Sequence, residues 1–354
     1  MRVLFITPYP IGKAASQRFR FEQYFSILTD KKIEFDCEPF LSKKAWDILY
    51  KNGFFFQKFL SLFNGYRKRY SLLFKLKQYD YVFVHREVVP FGPPILEFLI
   101  AKIFQKKIIY DFDDAIWINN SSESNRLFSV FKWYSNVNYL CKIAYKVSCG
   151  NEYLCGFARQ YNSTVVYNPT TIDTENHHNQ QQVHDHPKFA IGWTGSHSTL
   201  KYLNEIVPVL KKLEAKFDFD FIVISDEKPA IELKSLRFVK WNKETEIEDL
   251  LDFSIGVMPL PNDRWAKGKC GFKALQYMAL GIPALVSPIG VNTKIVDDGV
   301  NGFICTSAAD WENAIEKLII NPALLIEISS RTQQKIEQHY SVKSNQNNFL
   351  NLFN

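Results

Sequence analysis

Short apolar runs alternate with amphipathic stretches along the first 170 residues. Five runs are bounded by polar or turn-forming residues, as is typical of buried strands: 3–6, 81–84, 107–110, 145–148 and 164–167. A helix is predicted to begin near Ser16, because apolar side chains over 21–28 recur at the spacing of one helical face. Another apolar helix is predicted over about 94–104. This alternation predicts a parallel sheet with covering helices.

The second half of the chain repeats the alternation. Strands are predicted at 189–193, 219–225, 237–241, 255–259 and 283–287. Helices are predicted at 199–217, 245–253 and 271–280. The third helix should end at Gly281, which tolerates the left-handed conformation, and Pro283 cannot continue it. The second half is therefore also predicted to be α/β.

The stretch 171–187 between the two halves is rich in Asn, Gln, His and Asp, so we expect a solvated linker there. A chain of 354 residues is long enough for two compact domains. We predict Rossmann-like domains at 1–170 and 188–335, and a C-terminal helix at 336–354 that returns to the first domain. The predicted fold class is α/β, with two doubly wound domains facing a central cleft and ligands at the carboxyl ends of the strands.

Composition narrows the class of protein. With 46% hydrophobic and 23% charged residues the chain is globular. We find no run of about 18 apolar residues that would span a membrane, and the run 3–6 leads into Thr-Pro-Tyr-Pro rather than a signal-peptide cleavage site. The six cysteines form no CxxC pair, which favours reduced thiols in the cytoplasm. The net charge of +6 fits a nucleic acid, a membrane surface or a phosphorylated substrate.

A basic loop precedes the predicted helix at 271–280. Arg264 and Lys269 lie before the helix, and Lys273 lies in its first turn. Cations are unfavourable at the positive end of the helix dipole unless an anion is shared, so this arrangement suits a diphosphate. Gln276 shares a helical face with Lys273, where its side chain can hydrogen-bond a sugar or ribose hydroxyl. A solvated basic loop is the alternative interpretation.

The sequence of 268–288, followed by Gly-Val-Asn at 290–292 and Asp-Asp-Gly-Val-Asn-Gly-Phe at 297–303, resembles the donor-binding block of the glycosyltransferase family 4 group. The resemblance is strong over 191–303 and weaker in the N-terminal half. It implies the GT-B fold, retention of anomeric configuration, and a nucleoside diphosphate sugar as co-substrate, with no cofactor and no metal.

Three positions of the family pattern are occupied differently in this chain. The two glutamates that the group places eight residues apart fall on Gly268 and Gln276. An arginine of the group falls on Ser196, although the lysine that follows it matches Lys201. The predicted donor-binding residues, from the helix start and from the resemblance together, are Gly195, Ser196, Lys201, Arg264, Lys269, Gly271, Phe272, Lys273 and Gln276. Lys273 is also assigned a catalytic role, because it would stabilise charge on the departing diphosphate.

Polar side chains follow predicted strands of the N-terminal half, where such sheets bind ligands. Gly12 lies in a loop that resembles the family's first glycine-containing loop. Arg18 and Arg20 follow in the first helical turn, where they bind an anionic acceptor or pair with Glu22 or another acid. The remaining acceptor-binding candidates lie in His-Arg-Glu at 85–87 and Asp-Phe-Asp-Asp at 111–114: Arg86, Glu87, Asp111 and Asp114. Asp113 is assigned to orienting the acceptor or assisting catalysis, with loop bracing as the alternative.

Two patterns suggest metal ligands, but we predict no metal site. Asp111-Phe-Asp matches the metal-binding motif of the other large glycosyltransferase fold, whereas the C-terminal block favours the metal-free one. Four histidines lie at 177, 178, 184 and 186, in a polar segment that does not hold ligand geometry.

The stretch 43–79 is predicted to be a basic, aromatic helical insertion. Its cations are Lys43, Lys44, Lys51, Lys58, Arg67, Lys68, Arg69, Lys75 and Lys77. Its aromatic residues include Trp46, Tyr50, Phe54, Phe55, Phe56, Phe59, Phe63 and Tyr70. This combination suits an anionic membrane surface, where a lipid-linked acceptor would be presented. The alternative is packing of the aromatic side on the first domain; nucleic acid is not expected as a partner, because no recognised binding module accompanies the patch.

These patterns predict a glycosyltransferase that moves a hexose-type unit from a nucleoside diphosphate sugar to a saccharide or lipid-linked acceptor. Cell-surface polysaccharide or lipopolysaccharide synthesis is the expected setting, at a cytoplasmic site or peripherally at the inner face of the plasma membrane. A non-catalytic sugar-nucleotide-binding or assembly homologue and a sugar-nucleotide epimerase of the same fold are the alternatives. A nicotinamide-dependent dehydrogenase is disfavoured because no GxGxxG follows a predicted strand.

Overall fold

The computed structural model describes residues 1–49, 51, 53–119 and 134–354, and these residues form two compact units. Unit 1 comprises Met1–Thr170 and Gln346–Asn354, and unit 2 comprises Thr171–Asn345. Tyr50, which belongs to the predicted aromatic set, lies outside the described residues.

Unit 1 is built on a parallel sheet of six strands. The strands are β1 (Arg2–Thr7), β2 (Glu34–Pro39), β3 (Tyr81–His85), β4 (Lys107–Phe112), β5 (Lys146–Cys149) and β6 (Val165–Tyr167). Their order across the sheet is β2-β1-β3-β4-β5-β6. The pairing of Val3 with Tyr81, and of Tyr81 with Lys107, aligns the carboxyl ends of β1, β3 and β4. Loops after these strands therefore emerge at one edge of the sheet.

The helices of unit 1 are mostly short. They are α1 (Ala15–Arg18), α2 (Phe25–Asp30), α3 (Lys43–Ile48), α4 (Phe55–Leu73), α5 (Ile95–Phe98), α6 (Asn136–Ile143) and α7 (Glu152–Ala158). Single 3-10 turns occupy Glu22–Tyr24, Leu76–Gln78 and Asn351–Phe353, and a π turn occupies Leu99–Ile103. The predicted helix near Ser16 is thus divided, because Phe21 leaves the helical conformation at φ −143°.

Strand β2 was not predicted from the sequence. It alternates acidic and apolar residues, is only partly buried, and pairs on one side alone, with β1. An edge strand lacks the continuous apolar run of a strand that is buried on both faces. In β1, by contrast, the four residues 3–6 are at most 1% exposed.

Aromatic side chains pack against one another on the sheet of unit 1 and form part of its core. Phe5 packs against Phe21 and Phe83, with ring centroids 5.5 and 4.9 Å apart. From the C-terminal segment, Phe349 stacks on Tyr24 at 4.2 Å. These contacts explain the high phenylalanine content of the chain as core packing, since paired rings bury large apolar areas.

Unit 2 is a second parallel sheet of six strands. The strands are β7 (Phe189–Thr194), β8 (Phe219–Ser225), β9 (Leu236–Lys240), β10 (Ile255–Met258), β11 (Ala284–Val286) and β12 (Gly302–Ile304). Their order is β12-β11-β10-β7-β8-β9. The helices are α8 (Val207–Leu213), α9 (Glu246–Leu251), α10 (Arg264–Lys267), α11 (Phe272–Ala279), α12 (Asn292–Ile295), α13 (Ala308–Ile320), α14 (Pro322–His339) and α15 (Val342–Leu350), whose last residues belong to unit 1. A 3-10 stretch, His197–Glu205, replaces the start of the helix predicted from residue 199.

The stretch 171–187, predicted to be a solvated linker, is mostly exposed, but a few of its residues pack into unit 2. It belongs to unit 2, and both His178 and Gln182 are buried. The amide of Gln182 donates to the Phe253 carbonyl at 2.9 Å, and Ile172 forms a β-bridge with Ser341. Polar side chains are buried here because they satisfy backbone groups that would otherwise lack partners.

Within the described residues, no helix has the length and apolarity needed to cross a bilayer.

Candidate donor and acceptor sites

Helix α11 begins where the sequence predicts a diphosphate site. Its N-cap residue is Gly271, which has φ +70° and no side chain to accept from the first-turn amides. A Cβ on Gly271 would lie 2.1 Å from Cδ1 of Ile295, so the close approach of α12 also requires glycine here. The amides at the start of α11 can therefore be approached closely by a ligand anion.

Two lysines of this segment lie over tryptophan rings. The Nζ of Lys273 is 5.1 Å from the ring centroid of Trp193, at the end of β7. The Nζ of Lys269 is 5.2 Å from the ring centroid of Trp265. Both amines lie within the range of a cation–π interaction. Arg264, at the start of α10, is exposed.

Gln276 lies in a buried polar cluster rather than on an open wall of the site. Its side chain is 1% exposed, and its Nε2 lies 3.4 Å from Oε1 of Glu246 and 3.4 Å from Nε2 of His178. The indole Nε1 of Trp241 donates to the same carboxylate at 3.3 Å. Sequence reasoning missed Glu246 and His178, because both lie far from Gln276 along the chain.

The hydroxyl of the next residue, Tyr277, connects α11 to β7. It accepts a hydrogen bond from the backbone N–H of Thr194 at 3.0 Å. Burial raises the pKa of Tyr277 well above its ordinary value. The buried phenol holds the helix next to the end of the strand through this hydrogen bond.

The loop after β7 carries the second group of predicted donor residues. Gly195 is required by packing, because a Cβ there would lie 2.4 Å from Cη2 of Trp193. Ser196 is exposed, and its hydroxyl lies 2.9 Å from that of Ser198. Lys201 is exposed, with its Nζ 5.5 Å from the ring of Tyr202.

His197 and Asp226 connect this loop to the end of β8, a pairing that the sequence did not reveal. The backbone N–H of His197 donates to Oδ1 of Asp226 at 2.6 Å, and the imidazole Nδ1 lies 2.5 Å from Oδ2. Burial opposes ionisation of Asp226, but the hydrogen bonds from His197 outweigh it and lower the pKa of the carboxyl. The two loops are thereby held together.

In unit 1, Arg20 and Asp111 bind each other, which corrects their predicted role as acceptor ligands. They form an ion pair in which both side chains are 0% exposed. The hydroxyl of Ser148 donates to Oδ1 of Asp111 at 2.6 Å, and Nδ1 of His85 lies 2.8 Å from Oδ2. Arg20 thus pairs with a neighbouring acid, the alternative that its position in the helix left open.

This pairing also sets the charge of Asp111. Burial alone would raise the pKa of the carboxyl, but Arg20 and His85 lower it well below the ordinary value. The Asp111 oxygens are therefore committed to an arginine, a histidine and a hydroxyl. A carboxylate with these partners is a poor metal ligand. Asp111 is the first residue of the Asp-x-Asp pattern, so the burial of this pair disfavours the interpretation of that pattern as a metal-binding motif.

Arg86, Asp113 and Asp114 form the partly exposed group of unit 1. The guanidinium Nη2 of Arg86 lies 2.7 Å from Oδ1 of Asp113 and 2.7 Å from Oδ2 of Asp114. Burial opposes the charge of Arg86, but the two carboxylates outweigh it and raise its pKa. The phenol of Tyr110 donates to the Arg86 carbonyl at 2.9 Å, and Arg86 has φ +62°. The three side chains place two carboxylates, which are hydrogen-bond acceptors, beside one guanidinium.

The loop around Gly12 is fastened by Glu22. The Gly12 N–H donates to Oε2 of Glu22 at 2.7 Å, and the amide of Gln17 donates to Oε1 at 3.0 Å. Burial raises the pKa of Glu22 despite these bonds. Arg18 lies over the ring of Phe19 at 4.9 Å and is mostly buried.

Glu87 occupies the position after Arg86. It is half-buried, and its backbone N–H donates to the carbonyl of His85 at 2.7 Å. This turn directs the chain away from the end of β3.

Part of the chain matches a known protein family. Residues 188–321 match the sequence model of the family described as "Glycosyl transferases group 1". No protein of curated function matches the chain.

Solved structures share the fold at low sequence identity. Sucrose-phosphate synthase from Thermosynechococcus elongatus is 11% identical, with a TM-score of 0.72 over 99% of this chain and 98% of that one. Anabaena Alr3699/HepE, solved in complex with UDP, is 14% identical, with a TM-score of 0.62 over 99% of both chains. TarM is 14% identical, with a TM-score of 0.62, and the match covers 81% of this chain but 58% of TarM.

Two parallel α/β units and these structural matches define the GT-B fold of glycosyltransferases. The family match lies in unit 2, the half that contains the predicted donor segment. Over residues 188–321 the chain thus matches the group 1 glycosyltransferases, in agreement with the resemblance seen in the sequence, and both units together have the GT-B fold.

Proposed function

We propose that the chain transfers a sugar from a nucleoside diphosphate sugar to a hydroxyl of a saccharide or lipid-linked acceptor. The observation that carries the proposal is the start of α11, where Gly271 presents no side chain to the first-turn amides and Lys269 and Lys273 lie close by along the chain. HepE, a protein of the same fold, is known in complex with UDP-glucose. A nucleoside diphosphate is the anion that these groups would bind.

The donor diphosphate would interact with the first turn of α11 and with Lys273. Negative charge develops on the leaving diphosphate as the bond to the sugar breaks, and fixed amides and ammonium groups stabilise that charge most in the transition state. The ring of Trp193 would hold the Lys273 side chain in place before the donor arrives. Lys201, Arg264 and Lys269 would add positive charge around the same ligand.

The acceptor would bind at the partly exposed group of unit 1. Asp113 and Asp114 would accept a hydrogen bond from the attacking hydroxyl, while Arg86 pairs with both carboxylates. The buried pair of Arg20 and Asp111 would hold the loops of Arg86, Asp113 and Asp114 in place without contacting the acceptor. Gly12, Arg18 and Glu87 complete the proposed acceptor surface.

The proposal includes no cofactor and no metal. Charge on the diphosphate would be met by lysines and helix amides, and Asp111 in β4 and Asp113 just after it are paired with arginines. Retention of configuration, a setting in cell-surface polysaccharide or lipopolysaccharide synthesis, and a cytoplasmic or peripheral membrane location belong to the same proposal through the family resemblance.

The decisive experiment compares two lysines of unit 2 that both lie over aromatic rings. Lys273→Met should weaken the binding of nucleoside diphosphates by about tenfold or more, because a charge-assisted contact of roughly 1.5–3 kcal/mol is lost. Lys317→Met removes an amine that lies 5.5 Å from the ring of Phe303 and is the matched control. Calorimetric titration of both variants with UDP, GDP, ADP and dTDP gives the comparison. Equal affinities in wild type and Lys273→Met overturn the assignment.

A second variant tests the acceptor side. Asp113→Asn should leave nucleoside diphosphate affinity unchanged and lower the rate of donor turnover, measured as release of the nucleoside diphosphate. Full turnover by this variant would remove Asp113 from the mechanism. No turnover of any nucleoside diphosphate sugar by the wild-type protein, with binding intact, would favour a non-catalytic binding protein.

A further inference from the structure

Helix α4, Phe55–Leu73, presents a row of exposed phenylalanines that no described part of the chain covers. Phe55, Phe59 and Phe63 recur every four residues and are 81, 65 and 62% exposed. Phe56 and Tyr70 lie on the same side of the helix and are 73 and 46% exposed. Contiguous exposed apolar patches of this kind mark interaction surfaces in soluble proteins. We call these five side chains the aromatic face.

The buried side of α4 fixes which way the aromatic face points. There, Arg69 is almost fully buried, and its guanidinium donates to the carbonyls of Thr7 at 2.7 Å, Glu38 at 2.8 Å and Val88 at 2.8 Å. Gly65 lies so close to Phe40 that a Cβ would be 2.6 Å from its ring. Turning the helix to bury the phenylalanines would break all three hydrogen bonds of a buried cation, which is costly.

The charge around α4 indicates what kind of partner would bind the aromatic face. The stretch 43–79 contains nine lysines and arginines and one acidic residue, Asp47. Of these cations, Arg69 is buried and Lys68 pairs with Glu38 at 2.6 Å, while Arg67, Lys75 and Lys77 are exposed. A second copy of the same face would bring like charges together, whereas an anionic lipid surface complements them.

A cavity adjoins the aromatic face. It has a volume of about 360 Å³, and its walls include Tyr66 and Tyr70 of α4 and Phe91, Ile95 and Leu96 from the chain before and at the start of α5. Tyr70 and Ile95 are about half-exposed, and the Tyr66 hydroxyl donates to the Phe91 carbonyl at 2.6 Å. The walls are largely aromatic and aliphatic, and the volume suits a segment of an acyl or isoprenoid chain.

We propose that the aromatic face of α4 is a membrane-docking surface, which inserts its phenylalanines into an anionic lipid bilayer while the flanking lysines and arginines contact the headgroups. The helix would lie in the plane of the membrane, as amphipathic interfacial helices do. At 1.5 Å per residue its 19 residues span roughly 28 Å, enough for several aromatic anchors along one line. The cavity would receive part of a lipid chain beside the helix.

The experiment is vesicle binding by the full chain without any sugar nucleotide. Sedimentation with vesicles of phosphatidylcholine alone, and of phosphatidylcholine with phosphatidylglycerol, should show binding to the anionic vesicles that weakens as salt is added. The triple variant Phe55→Ser, Phe59→Ser, Phe63→Ser should bind them about a thousandfold more weakly or not at all, since each lost phenylalanine costs roughly tenfold. Absence of wild-type binding to anionic vesicles overturns the proposal.

A matched control separates this face from exposed apolar residues in general. Ile320→Ser with Ile326→Ser removes two side chains of unit 2 that are 65 and 56% exposed and should leave vesicle affinity unchanged. Arg67→Gln with Lys75→Gln and Lys77→Gln should weaken binding to anionic vesicles and reduce its salt dependence. Equal loss in the isoleucine control contradicts a specific docking face.

Two further readouts keep the outcome decisive. Brominated acyl chains should quench the fluorescence added by Phe59→Trp but not that added by Ile326→Trp, because only the first tryptophan would enter the bilayer. Sedimentation velocity of the wild type and the triple serine variant tests the other occupant: a dimer that the triple variant dissociates, together with no vesicle binding, assigns the face to a second copy. Circular dichroism and the midpoint of urea unfolding confirm that the variants fold.

Vesicle binding needs neither donor nor turnover, so its failure and the failure of the proposed transferase reaction are seen separately. The proposed function supports the docking surface in one respect only: a lipid-linked acceptor would be presented at the same membrane.

Discussion

Arg20 and Asp111 form an ion pair that is completely withdrawn from solvent, although 91 residues separate them in the chain. The pair joins the segment after β1 to the end of β4, next to Arg86 and the two aspartates proposed for the acceptor site. Its partners Ser148 and His85 come from β5 and β3, so four segments of unit 1 meet at one carboxylate. The pair therefore fixes the edge of the sheet from which the candidate acceptor loops emerge.

Removing one partner of this pair should be strongly destabilising. Arg20→Met leaves the Asp111 carboxylate buried without its main counter-charge, and we expect a loss of about 3–5 kcal/mol in the free energy of unfolding. The control is Arg159→Ala, which breaks an exposed pair with Glu152 and should cost at most about 1 kcal/mol. Urea denaturation of both variants measures the difference. Similar small losses would show that the buried pair is dispensable.

The pH dependence of the free energy of unfolding should reveal the raised pKa of Glu97. Burial raises the pKa of this carboxyl from 4.5 to about 7. The folded state then holds a proton that the unfolded chain releases, so the contribution of Glu97 to stability is present below about pH 4.5 and is lost as pH rises through about 7. Glu97→Gln stays neutral and lacks this loss. Between pH 5 and pH 8, the wild type should lose about 2–3 kcal/mol relative to the variant.

Denaturant titrations of the wild type and Glu97→Gln at the two pH values provide the test. The exposed residue Glu152 serves as control, since Glu152→Gln should keep a constant difference from the wild type. A difference for Glu97→Gln that does not change with pH would contradict a protonated carboxyl at this position.

Two glycines with the same backbone conformation should respond differently to alanine. Gly271 and Gly299 both have φ +70°, so alanine costs about 1–2 kcal/mol at either position. At Gly271 the added methyl also meets Ile295 at 2.1 Å, whereas at Gly299 nothing lies within 4 Å. Gly271→Ala should therefore be less stable than Gly299→Ala by a further 1–3 kcal/mol or so.

Thermal or urea unfolding measures both variants, and Ile295→Ala combined with Gly271→Ala should recover part of the excess. Nucleoside diphosphate affinity should fall in Gly271→Ala alone, because a shifted α12 would disturb the start of α11. Identical stabilities of the two alanine variants would show that the packing around Gly271 yields easily.

Restoring the family's glutamate at position 276 should be unfavourable in this chain. Gln276→Glu places a second carboxyl beside Glu246, 3.4 Å from the present amide nitrogen, in a buried setting. Like charges raise the pKa of one carboxyl, so the variant should lose roughly 1–3 kcal/mol at pH 8 and less at pH 5.

Exchanging the two residues is the control for this effect. Glu246→Gln together with Gln276→Glu keeps one carboxyl and one amide, so the double variant should recover most of the stability in urea unfolding at pH 8. A single variant as stable as the wild type at both pH values would remove the argument for a coupled pair.

Much of the fold was accessible from local pattern. Continuous apolar runs predicted β1, β3, β4 and the main strands of unit 2, because strands of a parallel sheet are buried on both faces. The GT-B class followed from this alternation together with the family block, and the family match and the structural matches confirm it. Strand β2 escaped prediction because an edge strand with acidic residues carries no such run, and the division of the first helix depends on the packing of Phe21 in the aromatic core.

The sequence alone determined the features that depend on residues close together along the chain. These are the glycine at a helix start, the lysines around it, and the aromatic residues repeated along α4. What only the tertiary structure decided is which charges find each other. Arg20 meets Asp111, and Gln276 meets Glu246, through strands and helices distant in sequence. Helical spacing predicts a shared face, but partners across a sheet depend on strand order and register, which the spacing of residues along one chain does not encode.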